Sequence, residues 1–160
     1  MKKISLKAIS GVALAVILLL AAAQNPASGQ SGKGNRIEGT WRVAVTIRNC
    51  QTGAEISTIP ALSTFIAGGS MIGTPSLNPA LLRAGHGVWE HNGGQSFTNT
   101  IIFFRYAPDG TFAGTQKVTR QIELAHGADE FTAVDSVELV DPSGNVVGTG
   151  CATGVGQRLE

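Results

Sequence analysis

The feature that most constrains this chain is the spacing of its turn signals. They recur at Asn49 to Gly53, Gly68-Gly69, Asn92-Gly93-Gly94, Pro108-Asp109-Gly110, His126 to Asp129 and Asp141 to Asn145. These intervals are too short for helices plus loops. The runs between them are rich in Val, Ile, Thr, Phe and Trp, and several alternate with period two. They predict strands at 39–49, 62–67, 70–74, 84–91, 96–107, 111–125, 130–140 and 145–158. Eight strands with mostly short connections make an antiparallel meander. Strands this long leave bare edges in an open sheet, and closure removes them. The expected fold class is all-β: an antiparallel up-and-down eight-stranded β-barrel, with a two-sheet sandwich as the alternative. One segment differs. Ser76 to Arg83 has a cap-like serine, an early proline and leucines spaced to share a face, which predicts one or two turns of helix over an open end of the barrel. It is expected to act as a plug that finishes the core, the alternative being a moving lid.

The turns also indicate which residues face inward. A two-residue hairpin at Asp109-Gly110 sets Arg105 opposite Gly114, Phe103 opposite Gln116, Ile101 opposite Val118 and Asn99 opposite Arg120. Opposed residues share a face. One face then carries Phe97, Ile101, Phe103, Phe112, Val118, Ile122 and Leu124, and the other is mostly threonine and charge. The apolar face is the interior. Placing Leu124 opposite Phe131 matches Ile122 with Ala133 and Val118 with Val137, and it sets Arg120 directly opposite Asp135. A slip of one residue turns the whole apolar set outward, which argues for this register. An inward Arg–Asp pair is costly to desolvate. It is either a polar spot at the floor of a ligand cavity or an internal ion pair that holds strand register. On the outer face of strand 96–107, Ile102, Phe104 and Tyr106 make an apolar stripe, a contact surface for a homo-oligomer unless the Leu77–Leu82 segment packs over it.

The start of the chain reads as an address. Lys2, Lys3 and Lys7 precede a mostly apolar run from Ala8 to Ala23 that ends in three alanines. This is the pattern of a secretory signal, with cleavage after Ala23 or after Gly29. The apolar run falls short of the ~20 residues a spanning helix needs. No cysteine stands near the cleavage region to take a lipid anchor. The expected organisation is 1–29 signal peptide and leader, 30–38 flexible leader and 39–160 barrel domain, in an exported protein. Setting the three signal lysines aside leaves 9 of the 12 basic residues against 11 acidic ones, a net charge of −2. That balance gives no electrostatic footprint for nucleic acid or an anionic membrane. The two cysteines, Cys50 and Cys151, both lie in the barrel domain. In an oxidising compartment they predict a disulfide, the alternatives being two buried thiols or a reactive cysteine.

Recognisable catalytic patterns are missing. His86 and His91 are five apart on one strand and so face opposite sides, which makes no metal pair. There is no phosphate loop and no GxSxG, and nothing brings Glu90 and Asp135 together as paired acids. The glycines in Gly85-His86-Gly87 suit close packing or a strand bend. No catalytic set, metal or cofactor is expected.

At the first strand, Gly39-Thr40-Trp41 resembles the GxW signature of lipocalins and the wider calycin barrels, and Arg158 stands where that family has an arginine late in its last strand. The middle lipocalin motif, TDY, is missing. The resemblance implies that Trp41 closes one end of the barrel with Arg158 packed across it, both structural, and that a small apolar or amphipathic ligand binds inside. A second resemblance, to dirigent proteins and allene oxide cyclases, rests on the glycine-and-aromatic stretches Gly85 to Trp89 and Asp109 to Gly114. The expected function is non-enzymatic binding of a small apolar molecule, with Phe103, Phe112, Gln116, Arg120, Asp135 and Asn99 on the cavity. The alternatives are a cyclase or isomerase using the same polar cluster, and an interaction protein with a filled core.

Overall fold

The computed structural model describes residues 36–159. The signal segment, its cleavage sites and most of the leader lie outside the described residues. Eight strands form: β1 (Gly39–Arg48), β2 (Glu55–Ile66), β3 (Ser70–Pro75), β4 (Gly85–Gly93), β5 (Ser96–Tyr106), β6 (Phe112–Leu124), β7 (Glu130–Val140) and β8 (Val146–Arg158). Each pairs antiparallel with the next, and β1 pairs with β8, so the sheet is a closed up-and-down barrel and not a sandwich.

The hairpin registers follow from the alternation. Asn99 lies opposite Arg120 and Arg105 opposite Gly114. Leu124 meets Phe131, and Arg120 meets Asp135. The seam runs from Trp41 opposite Arg158 to Arg48 opposite Cys151. Next to that last rung, Cys50 and Cys151 form a disulfide with a Cα–Cα distance of 5.3 Å. Both ends of the domain therefore leave from the same rim, the one carrying Gly39 and Arg158.

Two expectations need correcting. Strand β2 begins at Glu55, seven residues before the expected start, and carries Pro60 in its middle. The β2–β3 ladder ends at Ala61 opposite Pro75, so the first half of β2 pairs only with β1 and runs along a sheet edge, where proline is tolerated. Residues 76–83 form no helix. Asn78 accepts from Leu81 and Leu82 through its carbonyl and from the Ala80 amide through Oδ1, which closes a single turn. Leu82 then bridges to Arg105 at the free flank of β5, which ties the segment down by backbone pairing.

The interior has two unlike halves. At the rim where the chain enters and leaves, Ile37, Trp41, Phe65, Phe97, Ile122, Leu124 and Phe131 are buried together. Trp41 lies 4.9 Å from Phe131, centroid to centroid, and Phe65 meets Phe131 edge-on. Toward the other rim the inward side chains do not fill the barrel.

Candidate functional site

The unfilled half is a cavity of about 460 Å³. Its walls are Val45, Ile59, Ile101, Phe103, Val118 and Val137, the inward positions of five strands. Arg48, Cys50, Ile56 and Leu77 stand around its mouth, and Ile56 is 64% exposed. The cavity opens at the rim opposite the packed aromatic end.

The floor is polar. Arg120 and Asp135 come from adjacent strands at directly opposed positions, and both line the cavity. Arg120 donates Nε to Asp135 Oδ1 at 2.7 Å and Nη2 to Oδ2 at 2.6 Å. Arg120 is 8% exposed and Asp135 is 3%. A bidentate pair of this geometry is charge-assisted on both arms and fixes the guanidinium plane. Asn99 occupies the same inner row on the other side of Arg120 and is 1% exposed. Both atoms of its side-chain amide lack a hydrogen-bond partner among the described residues. A buried amide left in this state costs its full desolvation.

Of the residues expected on the cavity, Phe103, Gln116, Arg120 and Asp135 line it, and Asn99 is buried beside Arg120. Phe112 does not. The β5–β6 ladder shifts register between Arg105 and Tyr106, so Phe112 pairs with Tyr106 and turns to the outer face, 42% exposed. A bulge of one residue reverses the face of everything beyond it. Gly114, with φ of +101°, allows this bulge, and a side chain there would run into the Val140 carbonyl. Outside, Phe112 packs edge-on against both Phe104 and Tyr106, which widens the apolar stripe that Ile102 and Phe104 expose. Leu82 turns into the cavity and does not cover that stripe, while Arg83 lies over the Tyr106 ring at 4.8 Å.

At the opposite rim, the Arg158 guanidinium sits over the Trp41 ring at 4.2 Å. It donates to the carbonyls of Ala128, Glu38 and Arg36. Trp41 Nε1 donates to the Ile37 carbonyl at 2.8 Å. Gly39 is needed here, because a side chain would lie 2.8 Å from Arg158 Nη1 and its φ is +125°. These residues close the barrel and are remote from the cavity.

The mouth was the part missed from sequence. Ile59, Ala61, Ser63 and Phe65 alternate inward, and extending that period back from Phe65 would have found Ile59. Arg48 and Ile56 carry no such signal. Arg48 is anchored to Thr153 Oγ1 and the Gly53 carbonyl.

Among the described residues no group of His, Cys, Asp and Glu is placed to hold a metal, and no helix is long and apolar enough to cross a membrane. No family model matches the chain, and no curated protein matches it. The fold and the site together define a class: a closed eight-stranded antiparallel barrel, packed at one end and hollow at the other.

Proposed function

We propose that this chain is an exported barrel that binds a small apolar or amphipathic molecule in its cavity and performs no chemistry on it. The carrying observation is the apolar-walled cavity of about 460 Å³, open at one rim and polar only at its floor. That volume falls within the range of pockets that hold small ligands, roughly 300–1,000 Å³. A binding role fits the floor as well. Arg120 and Asp135 are committed to each other through two short hydrogen bonds, which leaves neither as an isolated acid or base. An oxidising destination suits the Cys50–Cys151 bond. The charged outer positions Arg42, Lys117, Glu123 and Glu138 suit a barrel wall that meets water and not lipid.

Native mass spectrometry of the protein purified from its own host tests this reading. One small molecule retained per chain is the expected result. Uptake of a neutral apolar dye such as Nile red should follow removal of that molecule. It should be lost in Gly150→Leu, which places a side chain in the cavity next to Val137. A bare chain that takes up no dye would overturn the proposal, and a co-purified compound released chemically altered would move it to the enzyme class.

A further inference from the structure

The cavity floor is specific about charge. The Arg120 guanidinium has five N–H donors. Two of them go to Asp135, one from Nε and one from Nη2. Both Nη1 donors and the second Nη2 donor have no acceptor among the described residues. Arg120 lines the cavity, so a ligand that reaches the floor meets this guanidinium. Directly across the β5–β6 ladder, the buried Asn99 amide has a donor and an acceptor unused. The floor therefore holds unspent hydrogen-bonding capacity but almost no net charge, because Asp135 already balances Arg120.

We propose that the floor selects an apolar ligand ended by a neutral oxygen acceptor, such as an ester, ketone or amide carbonyl, over the matching carboxylate. This rests on the reading of the cavity as a ligand site. A carbonyl oxygen entering the floor accepts from the free guanidinium donors and leaves the Arg–Asp pair whole. A hydrogen bond to a charged donor in a dry site is among the stronger ones. A carboxylate has to share the guanidinium with Asp135, which leaves one uncompensated negative charge in a poorly solvated place. A plain hydrocarbon fills the walls and leaves the floor donors unmet.

Competition of methyl decanoate, decanoate and decane against bound Nile red at neutral pH tests the inference. The ester should displace the dye at about tenfold lower concentration than either of the others, the factor expected for one charge-assisted hydrogen bond. In the double variant Arg120→Met, Asp135→Leu, an apolar replacement of a kind that buried ion pairs tolerate, the ester should lose its advantage over decane. Decanoate binding as tightly as the ester would overturn the inference, as would an ester preference that survives in the double variant. A wild-type protein that takes up no dye fails differently, because it removes the ligand cavity itself.

Discussion

The two ends of this barrel are built from the same eight strands yet do opposite things with their inward positions. At the packed end the inward row holds Trp41, Phe65, Phe97 and Phe131, and Arg158 lies across the top. At the mouth end the same strands offer Val45, Ile59, Val137 and Gly150, and the space stays open. Strand β8 shows the contrast best. Gly156 and Gly150 both point inward, six residues apart. A side chain at Gly156 would strike the Phe131 ring, whereas one at Gly150 would meet Val137 at an ordinary 3.5 Å. Glycine at one end makes room for an aromatic ring, and at the other it leaves room for something that is not protein. Packed core and open space are thus divided along the barrel axis, with the Arg120–Asp135 row as the boundary.

The comparison is broken most directly by truncation. Trp41→Ala should lower stability by about 3–5 kcal/mol, the usual loss for a buried large aromatic. Ile56→Ala, a similarly apolar residue at the mouth, should change it by less than about 0.5 kcal/mol because the side chain is exposed. Denaturant unfolding of both variants decides this, and equal losses would erase the division. Next comes the seam. Replacing Cys50 and Cys151 by serine opens a loop of 101 residues and should cost about 2–5 kcal/mol. In that variant, hydrogen exchange should speed up near Arg48 and stay slow near Trp41. Smaller again is the glycine pair: Gly156→Ala should cost about 1–3 kcal/mol by overpacking against Phe131. Gly150→Ala should instead add up to about 1 kcal/mol by removing glycine from a strand. Thermal melts of the two should move in opposite directions.

The smallest effect is on pH. Asp109 and Asp141 sit in the β5–β6 and β7–β8 turns, both at the mouth end. Backbone N–H groups of Thr111 and Asn145, respectively, hold their carboxyls below the ordinary aspartate range. A carboxyl lowered on folding contributes stability at neutral pH and loses it as pH falls through its folded value. The mouth turns should therefore loosen in acid, with NMR titration midpoints for both side chains below that of an unstructured aspartate. Midpoints at the ordinary value would remove this asymmetry between the ends.

How much of this was legible in the sequence depended on how local the determinant was. The β5–β6–β7 registers, and with them the Arg120–Asp135 pair, could be read because a two-residue turn and a strict apolar alternation specify the same pairing. Phe112 was misplaced because a bulge adds one residue without any change in alternation. Its only trace is Gly114, one glycine among 21. The early half of β2 was hidden by Pro60, which is acceptable only because β3 stops at Pro75, a fact of pairing and not of pattern. Ser76 to Arg83 carries helix-like spacing, but backbone pairing of Leu81 and Leu82 with β5 outcompetes it. Asn99 could be placed inside from its register. That its amide is left without a partner depends on the packing of every neighbouring strand.

The shared rim of the two ends of the barrel domain has a practical side. Ile37 and Leu159 both flank the packed end, where the Leu159 amide donates to the Thr40 carbonyl, while the cavity opens at the far rim. Anything fused directly beside Ile37 or Leu159, such as an affinity tag, a surface linker or another domain, joins at the base of the barrel. Immobilised this way, the protein would present its opening to the solution, and joining the domain's old ends to cut the chain in a mouth loop would place new termini beside the cavity mouth.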